Sequence, residues 1–290
     1  MNLYTIGQTL ENYVELGKAK TEYPAWKLLL LSFWAGVMTA FGAVVANTGS
    51  HAIENEGIAR VMGGLLFSFG LGMVILLGFE LFTGNSLITM SVLSGKTTVA
   101  KMLRNWGLVY LGNLAGAMSV AAGCAFFGQL RYSQGRLAVY TIQTAASKTS
   151  LSFGSGVVQG ILCCVLVCMG VLVSLMAKDV PGRIAGAYLP TAMFVSCGFE
   201  NSIANMYYIP AGLFALQNPQ YAALARSFGV DFSGLSWQSF LTANLLPVSL
   251  GNLMGGVALA LSLWACHLAG GQSAGLSFPK RRRNAETFSA

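Results

Sequence analysis

Charge is what this 290-residue chain has least of. Asp, Glu, Lys and Arg together make up 9% of it, against about 25% in soluble domains, while apolar residues make up 54%. So few charges cannot cover a water-facing surface. That excludes a soluble enzyme and a disordered tail, and leaves an integral membrane protein. Histidine is scarcer still, at His51 and His267 only. The sequence shows neither a metal-ligand cluster nor a nucleophile–base pair, so no enzyme activity, cofactor or metal site is expected. The formal charge of +7 raises the question of nucleic acid, but the basic residues are neither clustered nor interleaved with aromatics. Loops kept on the cytoplasmic side of a membrane give the same excess. No signal peptide is legible, because Met1 to Lys27 is polar and mildly amphipathic. The six cysteines lie inside apolar runs, where a disulfide framework is not expected. Packing is the expected role of Cys163, Cys164 and Cys168.

What is present is a set of six apolar runs, at residues 28–46, 61–77, 106–127, 153–177, 184–199 and 240–266. A spanning helix needs about 20 apolar residues. The second and fifth runs are short, and each passes straight into a polar stretch. The second continues as Gly78-Phe79-Glu80-Leu81-Phe82-Thr83-Gly84-Asn85-Ser86, and the fifth as Gly198-Phe199-Glu200-Asn201-Ser202, before apolar residues resume. Both predict helices broken at membrane depth. With the amino terminus inside, 12 of the 17 Lys and Arg residues fall on cytoplasmic segments and 5 outside, so both termini are expected in the cytoplasm. The expected organisation is a cytoplasmic segment at 1–27, a transmembrane unit at 28–267, and a basic cytoplasmic tail at 268–290 in which Lys280 to Arg283 anchor the topology.

The chain also repeats itself. Gly-Phe-Glu occurs at 78–80 and 198–200, and Leu-Gly-Asn at 111–113 and 250–252, each in the span that follows its Gly-Phe-Glu. Three spans precede the short loop near Lys178 to Arg183 and three follow it. An odd number per half sends the second half in from the opposite side. The expected fold is therefore all-α, with six transmembrane helices in two inverted three-helix repeats, the second and fifth helices broken. Irregular backbone survives in a bilayer only against protein or a wet cavity. The carboxylates Glu80 and Glu200 at the breaks are read as braces that accept N–H bonds, with proton carriage the less favoured role.

At these motifs the chain resembles the formate/nitrite transporter family. The residues that carry the resemblance are Gly78 to Asn85; Asn105-Trp106 with Val109 to Asn113; Gly198-Phe199-Glu200 with Ser202 to Tyr207 and Ile209-Pro210; and Asn244 to Asn252. The resemblance runs from about Glu22 to His267. It implies a homopentamer of aquaporin-like protomers in the inner (plasma) membrane, conducting a small anion together with protons.

Carried over position by position, the resemblance implies a substrate path at Thr83, Lys148, Glu200, Asn201 and Asn252. It implies hydrophobic gates at Leu81 and Phe82 on the cytoplasmic side and at Phe67, Leu71 and Phe194 toward the outside, and a structural loop at Glu80, Gly84 and Asn85. The chain departs from the family pattern at Gln159, at Cys164 and above all at Asn201, where a histidine is usual. A histidine can donate a proton near neutral pH, whereas an asparagine offers only an N–H and a C=O.

The expected function is passage of formate, nitrite, hydrosulfide or a similar anion. Lys148 draws in the anion, whose own pKa rises as it leaves water, and it crosses as the neutral acid with a proton taken from bulk water. The alternatives are a pore for neutral solutes such as water or glycerol and, less favoured, a membrane-embedded enzyme.

Overall fold

The apolar runs and their flanking caps become helices. The structure, a computed structural model, describes residues 3–269. In chain order the α-helices are α1 (Ile6–Glu22), α2 (Ala25–Ser50), α3 (Glu56–Phe67), α4 (Phe69–Leu76), α5 (Phe82–Asn85), α6 (Thr89–Leu93), α7 (Val99–Phe126), α8 (Arg136–Thr149), α9 (Phe153–Met176), α10 (Val180–Ser196), α11 (Ser202–Ala215), α12 (Pro219–Ser227), α13 (Trp237–Ser239) and α14 (Leu246–His267). No strand occurs among the described residues; Leu3 and Ala177 form an isolated bridge. The basic tail at Lys280 to Arg283 lies outside the described residues.

Among the described residues, five stretches are long and apolar enough to cross a membrane: Ala25–Ser50, Glu56–Leu76, Val99–Phe126, Phe153–Met176 and Trp237–His267. The fifth apolar run of the sequence becomes α10, only 17 residues long, with α11 continuing beyond a break. Side-chain oxygens start these elements: Thr5 caps α1, Asn55 α3, Thr98 α7, Ser152 α9 and Asp179 α10.

The two breaks share one geometry. Gly78 and Gly198 sit at φ +65° and +74°, a left-handed conformation that glycine adopts without a Cβ penalty. Around the first, Phe79 N–H donates to Val74 O (2.9 Å) and Gly78 N–H to Ile75 O (3.3 Å); around the second, Phe199 N–H donates to Phe194 O and Gly198 N–H to Val195 O, both at 3.0 Å. This paired 6→1 and 5→2 closure satisfies the last carbonyls of each half-helix. The chain then runs extended for a few residues before Phe82 and Ser202 restart helices.

Packing follows the repeat. α2 lies along α7 and α9 along α14, brought together by glycines. A Cβ on Gly116 would stand 2.0 Å from Phe33 O, and one on Gly251 would stand 2.1 Å from Val157 O. Immediately before α14 the chain forms a π-helix over Phe240–Leu245. Pro247 has no N–H to return to the carbonyl four residues back, and the widened turn carries Asn244 toward the second break.

Candidate functional site

Each break is held by the same set of side chains. In the first half the Glu80 carboxylate takes Lys20 Nζ at 3.0 Å and Asn85 Nδ2 at 2.7 Å, and Asn85 Nδ2 also donates to Asn105 Oδ1 at 2.9 Å. Asn105 Nδ2 reaches back to Lys20 O at 3.1 Å. Asn113 Nδ2 donates to Glu80 O and Ser32 O, and Asn113 Oδ1 accepts from Phe82 N–H.

In the second half the Glu200 carboxylate takes Lys148 Nζ at 2.8 Å and Asn205 Nδ2 at 2.6 Å, and Asn205 Nδ2 also donates to Asn244 Oδ1 at 2.7 Å. Asn244 Nδ2 reaches Lys148 O at 2.8 Å. Asn252 Nδ2 donates to Glu200 O and Gly160 O, and Asn252 Oδ1 accepts from Ser202 N–H. Each of these bonds has its counterpart at the other break, and the equivalence extends the repeat past the spans: α1 corresponds to α8. The polar segment before residue 28 is thus built into the same unit as the spans. Lys20, which the motifs do not single out, is the counterpart of Lys148, and its signal is spacing: each lysine stands five residues before the helix that follows it.

The networks close two cavities at opposite ends. Tyr23, just before α2, lines a cavity of about 330 Å³ with Lys20, Glu80, Leu71, Leu81 and Arg183. Asn47 and Ser50, at the far end of α2, line another of about 500 Å³ with Lys148, Glu200, Asn201, Phe67 and Phe194. The 24 steps from Tyr23 to Asn47, nearly all within α2, span roughly 36 Å, about the depth of a bilayer.

Several expected site residues fall differently from the motif reading. Leu71 lines the Glu80 cavity beside Leu81, not the Glu200 cavity with Phe67 and Phe194, whose rings meet edge to face at 6.0 Å. Phe82 lines neither cavity and packs edge-on to Tyr110 at 4.7 Å. Asn252, expected along the path, also lines neither; backbone groups take up its amide, which makes it a brace like Asn113. Asn201 faces the Glu200 cavity, but its Oδ1 accepts from Ile203 N–H and Ala204 N–H, capping α11, while Nδ2 points at Cys163 Sγ 3.7 Å away. Lys148 is no free cation, because Glu200 pairs with it and the Tyr208 ring lies 5.2 Å away.

Outside both cavity linings, Thr83 is the second residue of the first restarted helix and Ser202 the first of the second. Both hydroxyls are buried without a hydrogen-bond partner among the described residues. Ser202 has no role in the motif pattern; its signal is the position directly after the Asn201 cap. The amphipathic helices complete the walls. Tyr13 of α1 donates its hydroxyl to Gly84 O of the first restarted helix at 3.0 Å, and burial pushes that phenol well above its ordinary range. On α8, burial likewise raises Tyr140, partly offset by Arg60 nearby.

Fold and site together define a multi-pass helical membrane protein with a cavity at each of its two broken helices. Comparison with known proteins gives the family: the formate/nitrite transporter family model matches residues 7–265, and the chain belongs to that family. It is 34% identical over 260 residues to the formate channel FocA of Escherichia coli strain K12, covering 88% of this chain and 91% of that one. It is 31% identical over 272 residues to a probable formate transporter of Methanothermobacter thermautotrophicus, covering 87% and 93%. Among solved structures, a pentameric formate channel with formate bound superposes with a TM-score of 0.74 at 30% identity, over 83% of this chain and 96% of that one. An FNT family ion channel superposes with a TM-score of 0.75 at 22% identity, over 90% and 98%.

Proposed function

We propose that this protein conducts small monovalent weak-acid anions, of the size of formate, nitrite and hydrosulfide, between its two cavities. The observation that carries the reading is the pair of equivalent cavities at opposite ends, separated by a buried apolar and hydroxyl-bearing stretch. A bare anion entering that stretch loses its hydration, at a cost of several kcal/mol. A weak acid avoids most of the cost by taking a proton, and low dielectric itself raises its affinity for one.

On this reading Phe67 and Phe194 close the Glu200 cavity, and Leu71 and Leu81 close the Glu80 cavity. Thr83 and Ser202 offer hydroxyls to the guest in between. Water in the cavities supplies the proton, since position 201 is an asparagine fixed as a helix cap. Glu80 and Glu200 hold the broken backbone, with Gly84 and Asn85 part of the first loop. The protein works as a homopentamer in the inner (plasma) membrane with both termini cytoplasmic, which places the Glu80 cavity on the cytoplasmic side. The name of the pentameric structural relative and the Lys/Arg distribution support this arrangement.

The test is a flux panel on proteoliposomes, with formate, nitrite, hydrosulfide and lactate at several pH values and with water and glycerol as neutral solutes. Formate and nitrite fluxes that rise as pH falls, with slow glycerol, are expected. Fast water and glycerol with no anion flux would overturn the reading in favour of a neutral-solute pore.

A further inference from the structure

The Glu200 cavity holds more charge than its Lys–Glu pair. Lys148 and Glu200 neutralise each other at 2.8 Å, so the lysine expected to capture anions brings no net charge. Arg60, on the cavity wall of α3, makes no hydrogen bond or ion pair with the described residues. Its guanidinium lies over the backbone of Gly198, where an added Cβ would meet Nη1 at 2.5 Å. Gly78, the equivalent glycine at the other break, has nothing within 4 Å, so the covered glycine is peculiar to this end.

A second, independent feature faces the same cavity. Asn47 of α2 is 5% exposed, and its Nδ2 is buried with no partner among the described residues. A buried donor left without an acceptor is costly, and an entering anion would supply one. The Ser50 hydroxyl, one turn beyond Asn47, donates to Ala59 O at 3.1 Å and ties this end of α2 to the residue before Arg60. Glu56, at the start of α3, and the unpartnered Oδ1 of Asn205 also line the cavity; they are acceptors and suit water or a protonated acid.

We propose that Arg60 and Asn47 form an anion-loading site in the Glu200 cavity, in front of the neutralised Lys148–Glu200 pair, for a small oxyanion such as formate or nitrite. The planar guanidinium matches two oxygens of such an anion, and the Asn47 amide gives a third hydrogen bond. The inference rests on the transport reading above and adds to it the residues that first hold the substrate.

The experiment uses the full chain in proteoliposomes and measures formate and nitrite flux against concentration for the wild type, Arg60→Gln, Arg60→Lys and Asn47→Asp. Arg131→Gln, on the exposed segment between α7 and α8, controls for lost positive charge. Arg60→Gln should raise the half-saturating concentration about five-fold, the scale of one partly exposed charge contact. Asn47→Asp should raise it at least as much, Arg60→Lys should fall between, and Arg131→Gln should match the wild type.

Unchanged half-saturation in both Arg60→Gln and Asn47→Asp overturns the site. So does a fall in maximal flux alone, which marks a structural role. Should the wild type pass no anion, the transport reading fails by itself, and the site is read from unfolding midpoints in sodium formate against sodium chloride. A formate-specific stabilisation present in the wild type and absent in Arg60→Gln sustains it; equal shifts sink it.

Discussion

Replacing Lys148 with methionine tests the paired networks most directly. Glu200 is 5% exposed and receives Lys148 Nζ at 2.8 Å, Asn205 Nδ2 at 2.6 Å and Asn244 Nδ2 at 3.4 Å. Without the ammonium, a buried carboxylate keeps two amide donors and no cation. Removing one partner of a buried pair costs about 3–5 kcal/mol, a large part of a typical folding free energy. Removing both charges together is different. In Lys148→Met with Glu200→Gln, the glutamine oxygen still accepts from Asn205, and the double variant should lie within about 1 kcal/mol of the wild type.

Chemical unfolding in detergent micelles, followed by tryptophan fluorescence on the four proteins of the cycle, should return a coupling of about 2–3 kcal/mol. The equivalence of the two ion pairs demands the same of Lys20 and Glu80. Lys20→Met should be at least as damaging, because Lys20 also holds Asn85 Oδ1 at 3.0 Å. Single substitutions that simply add, or a Lys148→Met protein as stable as the wild type, would refute the claim that these pairs brace the broken helices.

Three further predictions follow from the geometry. Gly116→Ala and Gly251→Ala drive a methyl group into Phe33 O and Val157 O, and each should destabilise the protein by about 1–3 kcal/mol; wild-type unfolding curves would show that the helices can move apart freely. Asn201→His places a group titrating near neutral pH where the α11 cap faces the Glu200 cavity, and it should change the pH profile of formate flux; identical profiles would exclude position 201 from proton supply. The Lys96 ammonium, 2.8 Å from Glu15, holds that exposed carboxyl below its ordinary value. A depressed folded-state pKa gives stability that is present above the unfolded value and lost as pH falls through the folded one. Lys96→Ala should therefore cost a little stability at pH 7 and none in acid, and an equal effect at both would contradict the linkage.

Much of the fold is legible in the residues because the deciding signals are local. Apolar runs mark the spans, and the Gly-Phe-Glu stretches mark breaks that Gly78 and Gly198 make sterically possible. Other features are legible only partly. The helix boundaries spread beyond the apolar cores: α7 starts at Val99, with Lys101 and Arg104 inside it, because a cap and helix-forming residues extend a helix past its hydrophobic centre. The α1–α8 equivalence escapes hydropathy altogether, since both helices are amphipathic and their match is carried by the Lys20 and Lys148 spacing alone. The walls of the two cavities are not legible locally. Leu71 and Phe67 sit four residues apart on one apolar run, and nothing local says that Ser68, between α3 and α4, separates the residue facing one cavity from the residue facing the other.

The sequence by itself determined that the chain lives in a membrane, that it is doubled and broken in two places, and which family its motifs belong to. Composition, glycine positions and short repeats act within a few residues of themselves. Only the tertiary structure decided what each charge meets. Lys148 is neutralised by a carboxylate 52 positions away, Lys20 by one 60 positions away, and Asn252 is taken up by backbone from α9 and the second break. Those partners are fixed by how helices distant in sequence approach one another. In a low-dielectric interior the approach, more than the residue type, sets whether a lysine attracts an anion or simply holds a loop in place.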